Sequence, residues 1–486
     1  MTAEFHKANR QRLYAEMKDG SAVVFFSGSA PRQSADAYYT FFTNRNFLYL
    51  TGIKFAGLVL VATKIGGNVQ ESIYILPPDL MKERWTGRRP KADEVIAQSG
   101  ITDIRFVENF ENDIHRVLNS GNVQRVYLDL YRHTPDEGLD EAHRFAQTIK
   151  TGYPFLTVEN ILPILKRLRT LKAPCEIDAM RRAMTVTREG ILRMMRASHP
   201  GMYEYEYKAE FDYALTGAGV LEPAFHSIIS AGENNFCIHY DSYMGQAKDG
   251  DMILNDVGAQ WDGECNDVSR GWPCNGKYSK EQRMLYECAL NTSNYMFSII
   301  KPGMLMDDVD KTARRYCCEQ LKKIGLLSSY DEIGKYMWHG GAHHVGYDVH
   351  DVVDALGKPI APNMVFCVDI GIYAEDLGIG FRVEDNCLVT PTGAENLSAS
   401  VPRTIEDIEA VMKITGEISM KLILPEQITE AQYKAYLADW GAERIVPSER
   451  RKGYAKMQLA LALPIAHAVS LQKALITCAD DFERKK

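Results

Sequence analysis

Met252-Ile253-Leu254-Asn255-Asp256-Val257-Gly258, followed by Gly263-Glu264-Cys265-Asn266-Asp267-Val268-Ser269-Arg270, sets two carboxylates eleven residues apart. The first segment is an apolar run that ends in Asp256. Asp262-Gly263 then supplies the residue types of a tight turn, and the second run begins with Asp267. A hairpin of that length can bring both aspartates to one place. Two carboxylates that close repel, and one pKa rises sharply unless a cation lies with them. Read alone, the stretch fits two strand-end aspartates facing water equally well.

Two further clusters lie downstream. His339-Gly-Gly-Ala-His343-His344-Val-Gly-Tyr-Asp-Val-His350-Asp351 holds four of the chain's twelve histidines. Imidazole is the usual nitrogen donor to transition metals and a proton relay near neutral pH. Gly340, Gly341 and Gly346 allow close backbone approach to a ligand. Val368-Asp369-Ile370-Gly371 and Gly378-Ile-Gly-Phe-Arg382-Val-Glu384-Asp385 each end an apolar run in a carboxylate. In order, Asp256, Asp267, His343, Asp369 and Glu384 offer four carboxylates and one imidazole. That set suits a pair of hard divalent ions such as Mn²⁺ better than structural zinc. Bridging carboxylates hold two ions roughly 3.5–4 Å apart, and water between them becomes a hydroxide nucleophile near neutral pH. Such chemistry hydrolyses amides.

The first third of the chain alternates β-rich runs (Ala22–Phe26, Leu58–Ala62, Ser72–Leu76, Arg125–Leu130) with amphipathic stretches such as Phe110–Leu118. It reads as an α/β domain with Rossmann-like or related layering. No GxGxxG follows its strands. Leu171-Lys172-Ala173-Pro174-Cys175-Glu176 introduces a helix with Ile177, Met180, Met184 and Ile191 at helical spacing, so the domain boundary is set at 170/171. A second domain is expected over 171–412, and a C-terminal extension, mostly helical and of unknown role, over 413–486.

The 486 residues are 45% apolar and 25% charged, with a formal charge of −8. That balance argues against a nucleic-acid or anionic-membrane partner. No apolar run approaches the ~20 residues of a membrane span. Ten scattered cysteines without a CxxC pair read as reduced thiols, and the start lacks a signal-peptide core, so the cytoplasm is the expected compartment. Gly271–Lys277 matches the start of a phosphate-binding loop, but Tyr278 stands where Ser or Thr is required. HExxH and GxSxG are absent.

Together these residues resemble the pita-bread metallopeptidases, most closely bacterial aminopeptidase P and prolidases. Ser34-Ala-Asp-Ala-Tyr-Tyr39, Phe47-Leu-Tyr-Leu-Thr-Gly52 and Trp85-Thr-Gly-Arg-Arg89 resemble that family's creatinase-type N-terminal domain. The Asp256–Asp267 spacing, His339–His343, Val349–Asp351 and Arg382–Asp385 resemble its α+β catalytic domain. The resemblance implies that Asp256 chelates one metal, His343 binds the second, and Asp267 and Glu384 bridge both. It makes His239 and His350 substrate-binding and catalytic, and sets Arg382 near the proline side. Trp85 would reach a neighbouring subunit's site. It further implies two divalent ions (Mn²⁺, with Co²⁺, Fe²⁺ or Zn²⁺ as alternatives), peptides with proline second as substrates, and a homodimer or homotetramer.

One departure bears on the reaction. Asp369-Ile370-Gly371 stands where the family has glutamate, proline and glycine. Asp369, the expected fifth ligand and proton shuttle, is therefore one methylene short. A lyase or C–N hydrolase acting on a small metabolite, or a non-catalytic homologue, are the alternatives to an Xaa-Pro aminopeptidase.

Overall fold

The computed structural model describes residues 1–413 of the 486. The helical extension expected over 413–486 lies outside the described residues, Lys413 excepted.

Six strands form one mixed sheet in the first part: β1 (Ser21–Phe26), β2 (Val59–Ile65), β3 (Asn68–Ile75), β4 (Ile104–Phe106), β5 (Arg125–Leu128) and β6 (Thr157–Asn160). Their order is β4-β3-β2-β1-β5-β6. Antiparallel pairs join β1, β2 and β3, and parallel pairs complete the edges. Strand periodicity divides β1 between two cores. Val23 and Phe25 pack with Leu13, Phe47 and Leu60, whereas Ala22 and Val24 pack with Leu118, Val126 and Ile149. All four sequence-expected strands appear, their ends shifted by at most four residues, and the helix expected over Phe110–Leu118 has those bounds.

A 24-residue helix, Pro174–Ala197, opens the second part. Proline occupies its first turn, where a missing N–H costs nothing, and Glu176 accepts from the Ala173 N–H at 2.7 Å. Met180, Met184 and Ile191 lie on its buried face. The sheets follow: β7 (Ile228–Ala231), β8 (Met252–Val257), β9 (Gln260–Trp261), β10 (Glu264–Cys265), β11 (Val268–Pro273), β12 (Ala342–His344), β13 (Val365–Ala374), β14 (Ile379–Val389) and β15 (Ala394–Asn396). They order as β11-β8-β7, a β10-β9 ribbon and β12-β13-β14-β15. Helices Glu204–Gly217, Lys280–Ile299, Met306–Lys323 and Ile405–Lys413 complete the α+β arrangement. Gly271, Trp272 and Pro273 are buried in β11, so the phosphate-loop lookalike starts as sheet and only then turns.

Arg169, at the end of the helix Leu162–Thr170, joins the two parts. It donates to Asn46 Oδ1 (2.8 Å) and Asp348 Oδ2 (2.6 Å) and pairs with Asp351; Lys172 Nζ meets the other Asp351 oxygen at 2.8 Å. The rings of Tyr49 and Tyr347 meet edge-on beside this cluster, with centroids 5.5 Å apart. Burial raises the Asp351 carboxyl, but Arg169 and Lys172 outweigh it and hold the group down at about 2. Against the ordinary 3.8, this depression corresponds to about 2 kcal/mol of stability. A depressed acid stabilises above its unfolded pKa, so the contribution is complete above about pH 4 and lost as the pH falls through about 2. Denaturant unfolding at several pH values checks this: the stability gap between the native protein and Asp351→Asn narrows across that window. A gap independent of pH would contradict the assignment.

Candidate metal centre

Asp256, Asp369 and Glu384 sit on fully buried strands, and Asp267 lies one residue before another. In the β8–β11 pair, Asp256 lies opposite Ser269, and Asp267 precedes Val268, which faces Val257. The chain between them turns at Asp262 and Gly263, both at positive φ, with Trp261 paired to Glu264. That is the two-residue hairpin the sequence implied. A second condition is less visible. A Cβ on Gly258 would come within 1.8 Å of the Asn266 carbonyl oxygen, so only glycine lets the two strands close here.

The β13–β14 pair supplies the rest. Asp369 lies directly opposite Glu384, Gly371 opposite Arg382, and Cys367 opposite Asn386. On the other side of β13, β12 sets His343 opposite Cys367. His343 Nε2 is 3.1 Å from Glu384 Oε1 and 3.5 Å from Asp267 Oδ2. Ser269 donates to Glu384 Oε2 at 2.7 Å, and Arg382 donates to Asp256 Oδ2 at 2.9 Å. Asp369 Oδ2 lies 3.2 Å from His339 Nδ1. His339 Nε2 is 2.9 Å from the Tyr373 hydroxyl, which accepts from Arg382 at 2.7 Å.

Asp256, Asp267, Asp369 and Glu384 are all buried. Burial, then the Glu384 and Asp256 charges, push the Asp267 carboxyl well above its ordinary range. Burial and Glu384 do the same to Asp369. Burial also raises Asp256, but Arg382, Asp267, His343 and Ser269 together outweigh it and leave the group below its usual value. For His343, burial is overcome by Glu384 and Asp369, and the imidazole rises to about 9. Burial holds His350 down at about 4, with His343 adding to the effect.

The side chains fit a cation. Asp256 Oδ1, Asp267 Oδ1 and Asp369 Oδ1 are buried without a hydrogen-bond partner. Orphaned buried carboxylate oxygens are costly unless a cation satisfies them. One donor atom each from Asp267, His343, Cys367 and Glu384 lies within 4.8 Å of the others.

The remaining expected residues lie at varied distances from this centre. The His350 ring meets the His343 ring at 4.3 Å, edge-on, and His239 is exposed beside Ile238, whose carbonyl accepts from Arg382. His350 also lines the cavity that leads away from the centre. Trp85 is 84% exposed on the helix Leu80–Thr86, which buries no residue, and it touches nothing of this site. A cavity of about 640 Å³ runs from His350 to the N-terminal part, past Asn46, Asp129, Arg169 and Asp348.

Residues 178–391 match the family described as metallopeptidase family M24, and residues 6–127 match the aminopeptidase P N-terminal domain. The Xaa-Pro aminopeptidase of Escherichia coli K12 is 31% identical over 434 residues, covering 84% of this chain and 97% of that one. The Haemophilus influenzae Xaa-Pro aminopeptidase is 29% identical, with the same coverage. Aminopeptidase P from E. coli, solved with the inhibitor Pro-Leu, superposes with a TM-score of 0.78 at 29% identity, covering 86% of this chain and 99% of that one. The chain belongs to metallopeptidase family M24.

Its fold is accordingly an α/β N-terminal domain followed by a pita-bread catalytic domain, and it is an enzyme of the metallopeptidase class. Sequence reasoning missed four residues of this M24 site. Ser269 holds Glu384, and His339 lies between Asp369 and Tyr373. Tyr373 and Cys367 share a strand face with Asp369 at even spacing, and that periodicity could have flagged both. His339 stood in the quoted cluster without a role.

Gly258→Ala tests the hairpin that brings the aspartates together. The clash is with backbone, which cannot rotate away, so a loss of at least about 3 kcal/mol is expected, beyond the usual overpacking cost. Unfolding curves measure it, and a loss below about 1 kcal/mol would show that the strands close by another route.

Proposed function

We propose that this M24 enzyme is a metal-dependent Xaa-Pro aminopeptidase, removing the N-terminal residue of peptides with proline second. One observation carries the reading: four buried carboxylates converge with His343 beside the linked Arg382, Tyr373 and His339. The related E. coli and H. influenzae enzymes, named Xaa-Pro aminopeptidases, support it.

In this reading Asp256, Asp267, His343, Asp369 and Glu384 hold two divalent ions, with Mn²⁺ the first choice for a carboxylate-rich set. A bound pair supplies Lewis acidity toward the peptide carbonyl and lowers the pKa of water toward neutrality. The chain's own groups do the rest. Arg382, fixed by Asp256, Tyr373 and the Ile238 carbonyl, shapes the proline side. His350, neutral at physiological pH because burial holds it near 4, donates a hydrogen bond to the developing oxyanion without adding charge beside His343, and His239 donates from across the opening. Asp369 accepts the proton released by the attacking water and passes it to the leaving proline nitrogen. The domain boundary is proposed at 170/171, between the helices Leu162–Thr170 and Pro174–Ala197. We further infer a cytoplasmic enzyme, consistent with the charge of −8, that works as a homodimer or homotetramer. In such an assembly the exposed Trp85 would meet a second copy's site.

The test is metal content by elemental analysis beside hydrolysis of an Xaa-Pro-Xaa tripeptide with added Mn²⁺. About two metals per chain and proline-dependent cleavage are expected. Metal without cleavage would transfer the assignment to a lyase or C–N hydrolase of the same fold, and no metal would favour a non-catalytic homologue. Asp369→Glu is expected to keep or raise turnover, and a large loss would mean a site built around aspartate for other chemistry. His343→Ala is expected to lower metal-dependent turnover by at least on the order of 100-fold; an unchanged rate would remove His343 from the ligand set.

A further inference from the structure

We propose that Cys367 is a sulfur ligand of this centre, giving the ion on the His343 side a thiolate beside its imidazole and carboxylates. The proposal rests on the metal-centre reading above. Four placements support it. Cys367 lies two residues before Asp369 on β13, and strand alternation turns both side chains to one face. It is the central member of a three-strand row, with His343 opposite on β12 and Asn386 opposite on β14. Directly paired residues have Cβ atoms about 4.5–5.5 Å apart, so its Sγ shares the space that the His343 imidazole enters. Its Sγ belongs to the four-atom group with Asp267, His343 and Glu384, all within 4.8 Å of one another. Ligands about 2.0–2.3 Å from a tetrahedral ion lie about 3.3–3.7 Å apart, so a small contraction converts this group into a coordination shell.

Cys367 packs with Val365 and Leu388 on one side, and further observations set ligand-type groups on its other side. Asp267 Oδ1 and Asp369 Oδ1 are buried beside it without partners, in side chains 3% and 8% exposed as whole residues. Asn386 Nδ2 contacts the Cys367 Sγ at 3.2 Å and donates to the Asp267 carbonyl at 2.6 Å. That amide fixes the thiol in the row and leaves its remaining directions toward the carboxylates. The donor at position 369 is also short by one methylene relative to glutamate, which leaves room for a donor from the adjacent rung.

The chemistry predicts a preference. Carboxylate oxygens favour Mg²⁺ and Mn²⁺, whereas thiolate and imidazole favour Zn²⁺ and Co²⁺. The thiol proton leaves to solvent as the sulfur–metal bond forms, and no electron moves. The centre therefore binds softer divalent ions more tightly than five oxygen and nitrogen donors would.

Cobalt reports this directly. Metal-free full-length protein is titrated with Co²⁺ and its spectrum recorded, beside Cys367→Ser and Cys367→Ala shown by thermal melts to fold as the native protein does. Native protein is expected to develop near-ultraviolet sulfur-to-cobalt charge-transfer absorption together with the visible ligand-field bands. The variants should keep the visible bands and lose the charge-transfer band, with Co²⁺ affinity reduced on the order of tenfold or more and Mn²⁺ affinity changed far less. Visible bands without charge transfer in the native protein overturn the sulfur ligand and leave the metal centre standing. Charge transfer that persists in Cys367→Ala assigns it to another cysteine and also overturns the proposal. No cobalt uptake overturns the metal centre and the sulfur ligand together. Should neither variant fold, Cd²⁺ titration of the metal-free native protein serves: sulfur-to-cadmium charge-transfer absorption in the ultraviolet is expected, and its absence overturns the sulfur ligand.

Discussion

Repulsion among Asp256, Asp267, Asp369 and Glu384 is the constraint around which the catalytic half is arranged. All four are buried, where charge is poorly screened and one carboxylate raises the pKa of the next. An isolated hairpin could not hold them together. The scaffold is a pair of strands, β13 and β14, buried along their whole length and paired over ten residue positions, with β8 and β11 packed beside them. Cations elsewhere in the sheet limit the cost. Glu384 points to the centre, so its neighbour Asp385 points to the opposite face, where Arg270 (2.7 Å) and Arg403 (3.0 Å) neutralise it. Arg270 also donates to the Glu384 carbonyl at 2.7 Å, tying the backbone of one ligand to the charge balance of the next residue.

The N-terminal domain enters this arrangement through a buried knot. Arg169 and Lys172 bracket Asp351, and Asp351 follows His350 in the chain. The histidine that faces His343 is therefore held by a carboxylate anchored at the junction of the two domains. Removing either cation would leave an uncompensated buried charge, a heavier loss than a surface ion pair would cause. Asn46 and Tyr49 come from the first domain, and Asp348 and Tyr347 belong to the same loop as His350, so the contact spans both. Domain docking and site geometry are thus coupled at the level of individual hydrogen bonds.

Local features of the fold were legible in the sequence because they follow from local physics. Apolar runs in the first third became strands of one sheet, Pro174 and Glu176 marked a helix start, and Asp262-Gly263 marked a turn. The candidate ligands could be quoted in order for the same reason, since carboxylates that end apolar runs stand out. Pairings between distant segments were not legible. Nothing local says that residue 369 faces 384, or that 343 faces 367, because register is set by strands that meet only in the folded chain. Ser269 was missed on that account: its hydroxyl matters only because Glu384 arrives from β14. Trp85, singled out by resemblance for a contact with a second copy, lies exposed on its own chain.

The substitutions at 369 and 370 bear on one another. Proline within a strand fixes φ and removes a ladder donor, whereas isoleucine does neither. With Ile370, β13 runs unbroken from Val365 to Ala374, and each residue has a partner on β14. Strand alternation therefore sets Cys367, Asp369, Gly371 and Tyr373 on one face. On that face the shorter carboxylate is flanked by groups that constrain it: His339 at 3.2 Å from its oxygen, and Tyr373, which joins His339 to Arg382. Reach lost at Asp369 is offset by rigidity, because a side chain with one fewer rotatable bond gives up less entropy when fixed. Aspartate at this position is in physical terms a shorter, stiffer donor on a fully paired strand, and the chemistry at this centre depends on how the neighbouring rungs fill the space it leaves.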